Sequence, residues 1–146
     1  RGYRVLVMSA FKSIEFVPLF VIWLILYWVL AKMGVFPAKL NYVVSHIPLP
    51  SGVMWKPTWG DILVLLGVFT LYFELAKSTR TSETSIADHL LSTFVLIGYL
   101  IALLTQPWAG NSVFMILTSM SFLDVIAGFT ITISAARRDL SIGGKS

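Results

Sequence analysis

The stretch "SMSFLDVIAGFT", residues 119–130, places one carboxyl group, Asp124, inside an otherwise apolar run. A charged carboxylate at the centre of a membrane helix costs about 2.5–3.5 kcal/mol on insertion scales, so Asp124 is not expected to face lipid while ionised. At helical spacing Ser121, Gly128 and Thr132 share its face, and Thr118 lies close to the same stripe. Small and hydroxylated residues of this kind let a second helix approach closely. Two chemistries suit such a seam. Asp124 can carry a proton or cation, or it can act as a hydrogen-bonding group that fixes helix packing or binds a partner subunit.

A second set lies nearer the ends of the apolar runs: Glu15, Glu74 and His89. Two carboxylates and an imidazole at similar depth form a candidate polar cluster at the inner mouth, of a kind that can hold a proton or a metal. Each also has an ordinary structural role. Glu15 in a first helical turn favours the helix dipole, Glu74 can pair with Lys77 three positions on, and His89 suits an interface. No metal site is expected. The only two histidines, His46 and His89, fall on opposite sides of the predicted membrane, which argues against a bis-histidine haem. No cofactor is expected, although His89 could still supply one axial ligand to a haem or chlorophyll.

Motifs for catalysis are missing. The chain has no glycine-rich phosphate loop, no His-Glu-x-x-His and no nucleophile elbow, and no spacing joins its Ser, His and Asp residues into a triad. It has no cysteine, hence no disulfide, thiolate zinc site or cysteine nucleophile. The reading is therefore that of a non-enzyme.

What must position these groups follows from composition. Of 146 residues 57% are hydrophobic and 12% charged, about half the charged fraction of a soluble domain, too few to cover a water-facing surface. The expected fold is all-α: a polytopic membrane protein with four transmembrane helices in one bundle, a single domain over residues 1–146. Four runs approach the roughly 20 residues needed to cross the hydrocarbon. They are residues 14–36, 61–77, 89–106 and 112–134. The first run is too long for a secretory signal and lacks a small-x-small cleavage site, so it is read as a retained span. Pro18 is placed in its first turn, where a missing N–H is tolerated. Thr58 with Asp61, Ser85 with Asp88, and Asn111 fit N-caps for the second, third and fourth spans. Because the chain opens on Arg1 rather than Met, further residues upstream are expected.

Lysine and arginine set the orientation. Arg1, Arg4, Lys12, Lys77, Arg80, Arg137, Arg138 and Lys145 fall at one end, against Lys32, Lys39 and Lys56 at the other. The positive-inside rule then puts both termini in the cytoplasm, most simply in a bacterial inner (plasma) membrane. The outer loop, residues 37–60, carries Pro48, Pro50 and Pro57, which forbid a long regular element. Within it "LNYVVSHI" could form a short helix or strand. Trp55, Trp59 and Trp108 are expected to be interfacial anchors. The inner loop, residues 78–88, is short and polar, the cytoplasmic tail spans 135–146 with "DLSIGGKS", residues 139–146, expected to be flexible, and "RGYRVLVMSAFK" is expected to lie on the inner leaflet. Trp23, Tyr27 and Trp28 are expected to form a large apolar surface on the first span.

Two functions follow. The leading expectation is a non-catalytic membrane subunit, packing through the Asp124 seam into a larger complex or homo-oligomer. The alternative is a small proton- or cation-coupled transporter or channel in which Asp124 titrates. The expected partners are the lipid bilayer and other membrane subunits or a second copy of the chain. Nucleic acid is not expected, because the basic residues sit at the ends of apolar runs and not on one soluble face.

Overall fold

The computed structural model describes residues 2–79 and 83–144, with the side chains at 10–16, 83–85 and 139 outside the description. The chain is mostly helical. In order it forms α1 (Gly2–Phe16), α2 (Phe20–Lys32), a hairpin of β1 (Ile47–Pro48) and β2 (Met54–Trp55), α3 (Trp59–Ser78), α4 (Glu83–Thr105) and α5 (Ser112–Gly143). Three helices, α3, α4 and α5, are long and apolar enough to cross a membrane, and α2 is a shorter apolar helix.

The first apolar run is broken, not continuous. α1 ends at Phe16 and α2 begins at Phe20, with Pro18 between them. Pro18 has no N–H to donate and its ring disfavours helical geometry at Val17, so it acts as a helix stop here and not as a first-turn residue. At its other end α2 stops at Lys32, short of residue 36. Gly34 takes a positive φ of 75°, Val35 N donates to Leu30 O and Gly34 N to Ala31 O. This is a Schellman motif, which needs the left-handed residue that glycine supplies.

Between α2 and α3, a 3₁₀ turn over Ala38–Asn41 buries Leu40, and a hairpin follows. Ile47 pairs with Trp55 and Pro48 with Met54 in antiparallel register. "LPSG" makes the turn: Gly52 N donates to Leu49 O, with Pro50 at the second position. The ladder continues below through Val44 N to Pro57 O and Trp59 N to Tyr42 O. "LNYVVSHI" is thus divided between a 3₁₀ turn and an extended arm, and the prolines hold each named strand to two residues.

The caps at Thr58 and Asn111 form. Thr58 and Asp61 make a reciprocal capping box on α3, and the Asn111 side chain accepts from Phe114 N at the start of α5. The expected Ser85–Asp88 cap does not form, because α4 already begins at Glu83 and Ser85 lies inside the helix. α5 is also longer than expected. It continues through Ala135, Ala136, Arg137 and Arg138 to Gly143, so residues 139–143, expected to be flexible, are helical. Alanine and arginine are good helix formers, and nothing interrupts them before the glycine pair at 143–144.

α5 is the central helix, packed against both α3 and α4. α3 buries Gly60, Leu63, Gly67, Thr70, Glu74 and Ser78, one stripe at three- and four-residue spacing. At Gly60 and Gly67 a Cβ would come within 2.8 Å of Val113 and Met120 on α5, so the two glycines set how closely the helices approach. The apolar core gathers Phe20, Tyr27, Leu63, Tyr99, Phe114 and Leu117. Tyr27 is fully buried there while Trp28 stays 48% exposed. The aromatic surface expected on the first span is therefore divided: Tyr27 faces the core and Trp23 packs against it, with Nε1 donating to Thr70 Oγ1 at 2.8 Å, because successive helical residues point about 100° apart.

Candidate functional site

The break around Pro18 leaves backbone groups without helical partners, and two side chains of α3 meet them. Glu74 Oε1 accepts from Leu19 N at 2.9 Å, and Lys77 Nζ donates to Val17 O at 3.1 Å. Lys77 also bonds Glu74 Oε1 at 3.1 Å. An ion pair thus covers both sides of the break, as irregular backbone at membrane depth requires protein partners. Glu74 is only 1% exposed.

Around this pair the other helices bring further polar groups. α4 supplies Asp88, whose Oδ1 lies 3.6 Å from Lys77 Nζ, together with His89 and Ser92. α5 supplies Ser121, Asp124, Gly128 and Thr132. Asp124 is 4% exposed, buried in the same polar region as Glu74.

His89 is held from several sides. Its Nε2 lies 2.6 Å from Thr132 Oγ1, which also reaches Ser78 O at 3.3 Å, and its ring packs on Phe129 with centroids 5.0 Å apart. Gly128 makes this possible. A Cβ there would meet His89 Cε1 at 2.9 Å and Ser78 Oγ at 3.0 Å. With His89 buried and Nε2 engaged by Thr132, its ring presents no open nitrogen at the surface for axial ligation.

The residues singled out in the sequence are thus distributed as follows. Glu74, His89, Asp124, Gly128 and Thr132 come together in this one cluster. Thr118 and Ser121 are buried along the same side of α5, with Thr118 Oγ1 donating to Phe114 O. The Glu15 side chain lies outside the described residues. Trp55 and Trp59 are exposed, whereas Trp108 is half-buried against Tyr27 and Phe114. The Asp124 seam does not face out of the bundle toward a second chain. It is covered by α3 and α4 of its own chain.

Sequence reasoning missed Asp88 and the reach of Lys77. Asp88 read as a helix cap, and its approach to Lys77 on the preceding helix carries no local signal. Asp88 Oδ1, Ser92 Oγ and Ser121 Oγ are buried without a hydrogen-bond partner among the described residues. Among those residues no group of three or more His, Cys, Asp or Glu side chains is arranged to hold a metal ion. The cluster therefore sets three carboxyls against one ammonium and one imidazole in an apolar bundle.

A second polar network lies at the hairpin end. Tyr27 Oη donates to Trp108 O at 3.0 Å, and Asn111 Nδ2 donates to Tyr27 Oη at 2.6 Å and to Trp108 O at 3.2 Å. It ties α2 to the turn before α5 and contains no charge. Comparison of the chain with family models, with curated proteins and with solved structures finds no match.

Proposed function

We propose that this chain is a four-crossing membrane protein that handles protons at its inner-side cluster, acting as a small proton- or cation-coupled transporter in which Asp124 is the carrier group. The observation that supports this most strongly is the burial of three carboxyls, Glu74, Asp88 and Asp124, in one apolar bundle with Lys77. Capping of the Pro18 break accounts for Glu74 and Lys77 but does not require Asp88 or Asp124. Buried charge in a bilayer must be neutralised. Three carboxyls against Lys77 alone leave two negative charges for protons, His89 or a cation to meet. Ser92 and Ser121, whose hydroxyls have no hydrogen-bond partner among the described residues, add acceptors in the same region.

The rest of the proposal concerns placement. α2, 13 residues long, spans only ~20 Å, and the segments on either side of it complete the crossing. Arg4, Lys77, Arg137 and Arg138 mark the cytoplasmic end, with both termini there, and the hairpin faces the other side. A bacterial inner membrane fits this charge pattern.

The test is proton-linked flux in liposomes with an internal pH dye. The protein should move protons down an imposed gradient, and Asp124→Asn should abolish that movement while the variant still folds. Unchanged flux in Asp124→Asn would remove the carrier role. The subunit reading keeps one observation in its favour. Val43, Val44, Leu49, Val53 and Met54 on the hairpin arms are exposed apolar residues, a surface a partner chain could cover. The Asp124 seam, expected to face either the bundle or an oligomer, is buried within the chain and so gives that reading no surface of its own. Fixed-ratio co-purification with a second polypeptide, combined with no flux, would favour it.

A further inference from the structure

Away from the cluster, a groove of about 500 Å³ runs between α2 and α4 toward the hairpin end. This lies within the ~300–1,000 Å³ range of small-molecule sites. Leu24, Ile25, Gly98 and Ile101 give its length an apolar lining. Gly98 keeps it open, since the only atom near a Cβ there would be Leu24 Cδ2 at 3.3 Å. Ile25 and Ile101 are exposed along it, so the groove opens sideways onto the apolar flank of the bundle.

The end of the groove has a different character. Lys32, Thr105, Gln106 and Trp108 close it, where polar side chains replace aliphatic ones. Among the described residues Lys32 makes no ion pair. Charge at this end of the molecule is one-sided. Lys32, Lys39 and Lys56 lie on residues 32–61, against a single acid, Asp61. That acid is occupied, because its carboxylate accepts from Thr58 N in the capping box. An apolar slot open to the flank and closed by an uncompensated ammonium and an amide matches a molecule with a hydrocarbon chain and an anionic head.

We infer that the α2–α4 groove binds one acidic glycerophospholipid from the leaflet at the hairpin end, with an acyl chain along Leu24 and Gly98 and its phosphate at Lys32 and Gln106. The site needs only that the bundle sits in a bilayer. It does not depend on the cluster moving protons. Lys32 supplies the charge, Gln106 and Thr105 can complete the head-group contacts, and Trp28 beside the mouth suits the interfacial depth.

The experiment is native mass spectrometry of the intact protein released from nanodiscs of phosphatidylglycerol mixed equally with phosphatidylethanolamine. The expected result is one phosphatidylglycerol retained per chain in preference to phosphatidylethanolamine. Lys32→Gln, at an exposed site that cannot affect folding much, should lower that retention about tenfold, the effect of one charge-assisted contact. Gly98→Leu should fill the groove and remove retention of both lipids. Equal retention of the two lipids by the unaltered protein would overturn the inference, as would full phosphatidylglycerol retention in Lys32→Gln. So would a dimer that survives lipid removal and is broken by Gly98→Leu, because a second copy would then occupy the groove. No proton flux from the unaltered protein, with lipid retention intact, would count against the transport reading alone.

Discussion

The two ends of the bundle solve the same problem with different chemistry. At each, α2 meets irregular backbone that needs partners. At the hairpin end, the turn before α5 is tied to α2 by Tyr27 and Asn111, both neutral. At the other end, the Pro18 break is tied to α3 by Glu74 and Lys77, both charged. The neutral network is complete in itself. The charged one would also be complete as a pair, yet α4 and α5 add Asp88 and Asp124 to it. A purely structural device has no need of extra buried acid, since a well-packed apolar residue is often as stable there. The excess at one end, and not the mere presence of polar groups, separates a device that holds the fold from one that has chemistry to do.

Breaking the comparison at its strongest point means removing Glu74. Glu74→Leu leaves Leu19 N and the Lys77 ammonium without their shared acceptor. Such removal of one partner from a buried ionic pair is expected to destabilise by about 3–5 kcal/mol. Tyr27→Phe at the other end should cost about 1 kcal/mol, because Asn111 still bonds Trp108 O. Thermal unfolding of both variants in the same detergent measures the contrast. Equal losses would show that the two ends do the same structural work.

The glycines sharpen the contrast from the packing side. Gly128→Ala would place a Cβ 2.9 Å from the His89 ring, which Thr132 and Phe129 hold in place. About 1–3 kcal/mol of strain is expected, together with displacement of His89. Gly67→Ala would meet Met120 Sδ at 2.8 Å, the flexible part of an adaptable side chain, although Leu117 Cδ2 stands at 3.0 Å. Its cost should be smaller. A His89 ring resonance that moves in Gly128→Ala but not in Gly67→Ala would locate the constraint at the cluster.

Much of this frame was legible in the sequence, for reasons that can be named. The Thr58 and Asn111 caps were readable because capping is local, acting over three residues. The burial of Asp124 was readable because hydrocarbon excludes charge whatever the partner. The break at Pro18 was misjudged because a proline can start a helix or stop one. Here the partners sixty residues away, Glu74 and Lys77, make the stop tolerable. Asp88 was assigned to a cap for the same reason: a Ser-x-x-Asp pattern is local, whereas its contact with Lys77 depends on how α3 and α4 pack. The length of α5 was underestimated because hydropathy ends at the membrane face, while helix propensity continues through Ala135 to Arg138.

The smallest expected effect is the most informative. Asp124→Asn keeps the shape of the side chain and its capacity to hydrogen-bond, while removing one acid from the excess. If Asp124 is present for proton handling, the fold has no use for its charge, and the amide should leave thermal stability within about 0.5 kcal/mol of the unaltered protein or raise it slightly. Asp124→Leu should cost more, since Glu74 would then face an apolar group in place of a hydrogen-bonding one. In stability, then, Asp124→Asn would make the charged end behave like the neutral end, with Glu74 and Lys77 still closing the Pro18 break. A loss in Asp124→Asn as large as in Glu74→Leu would show instead that the ionised carboxyl holds the helices together. The distinction between the two ends would then be one of strength and not of purpose.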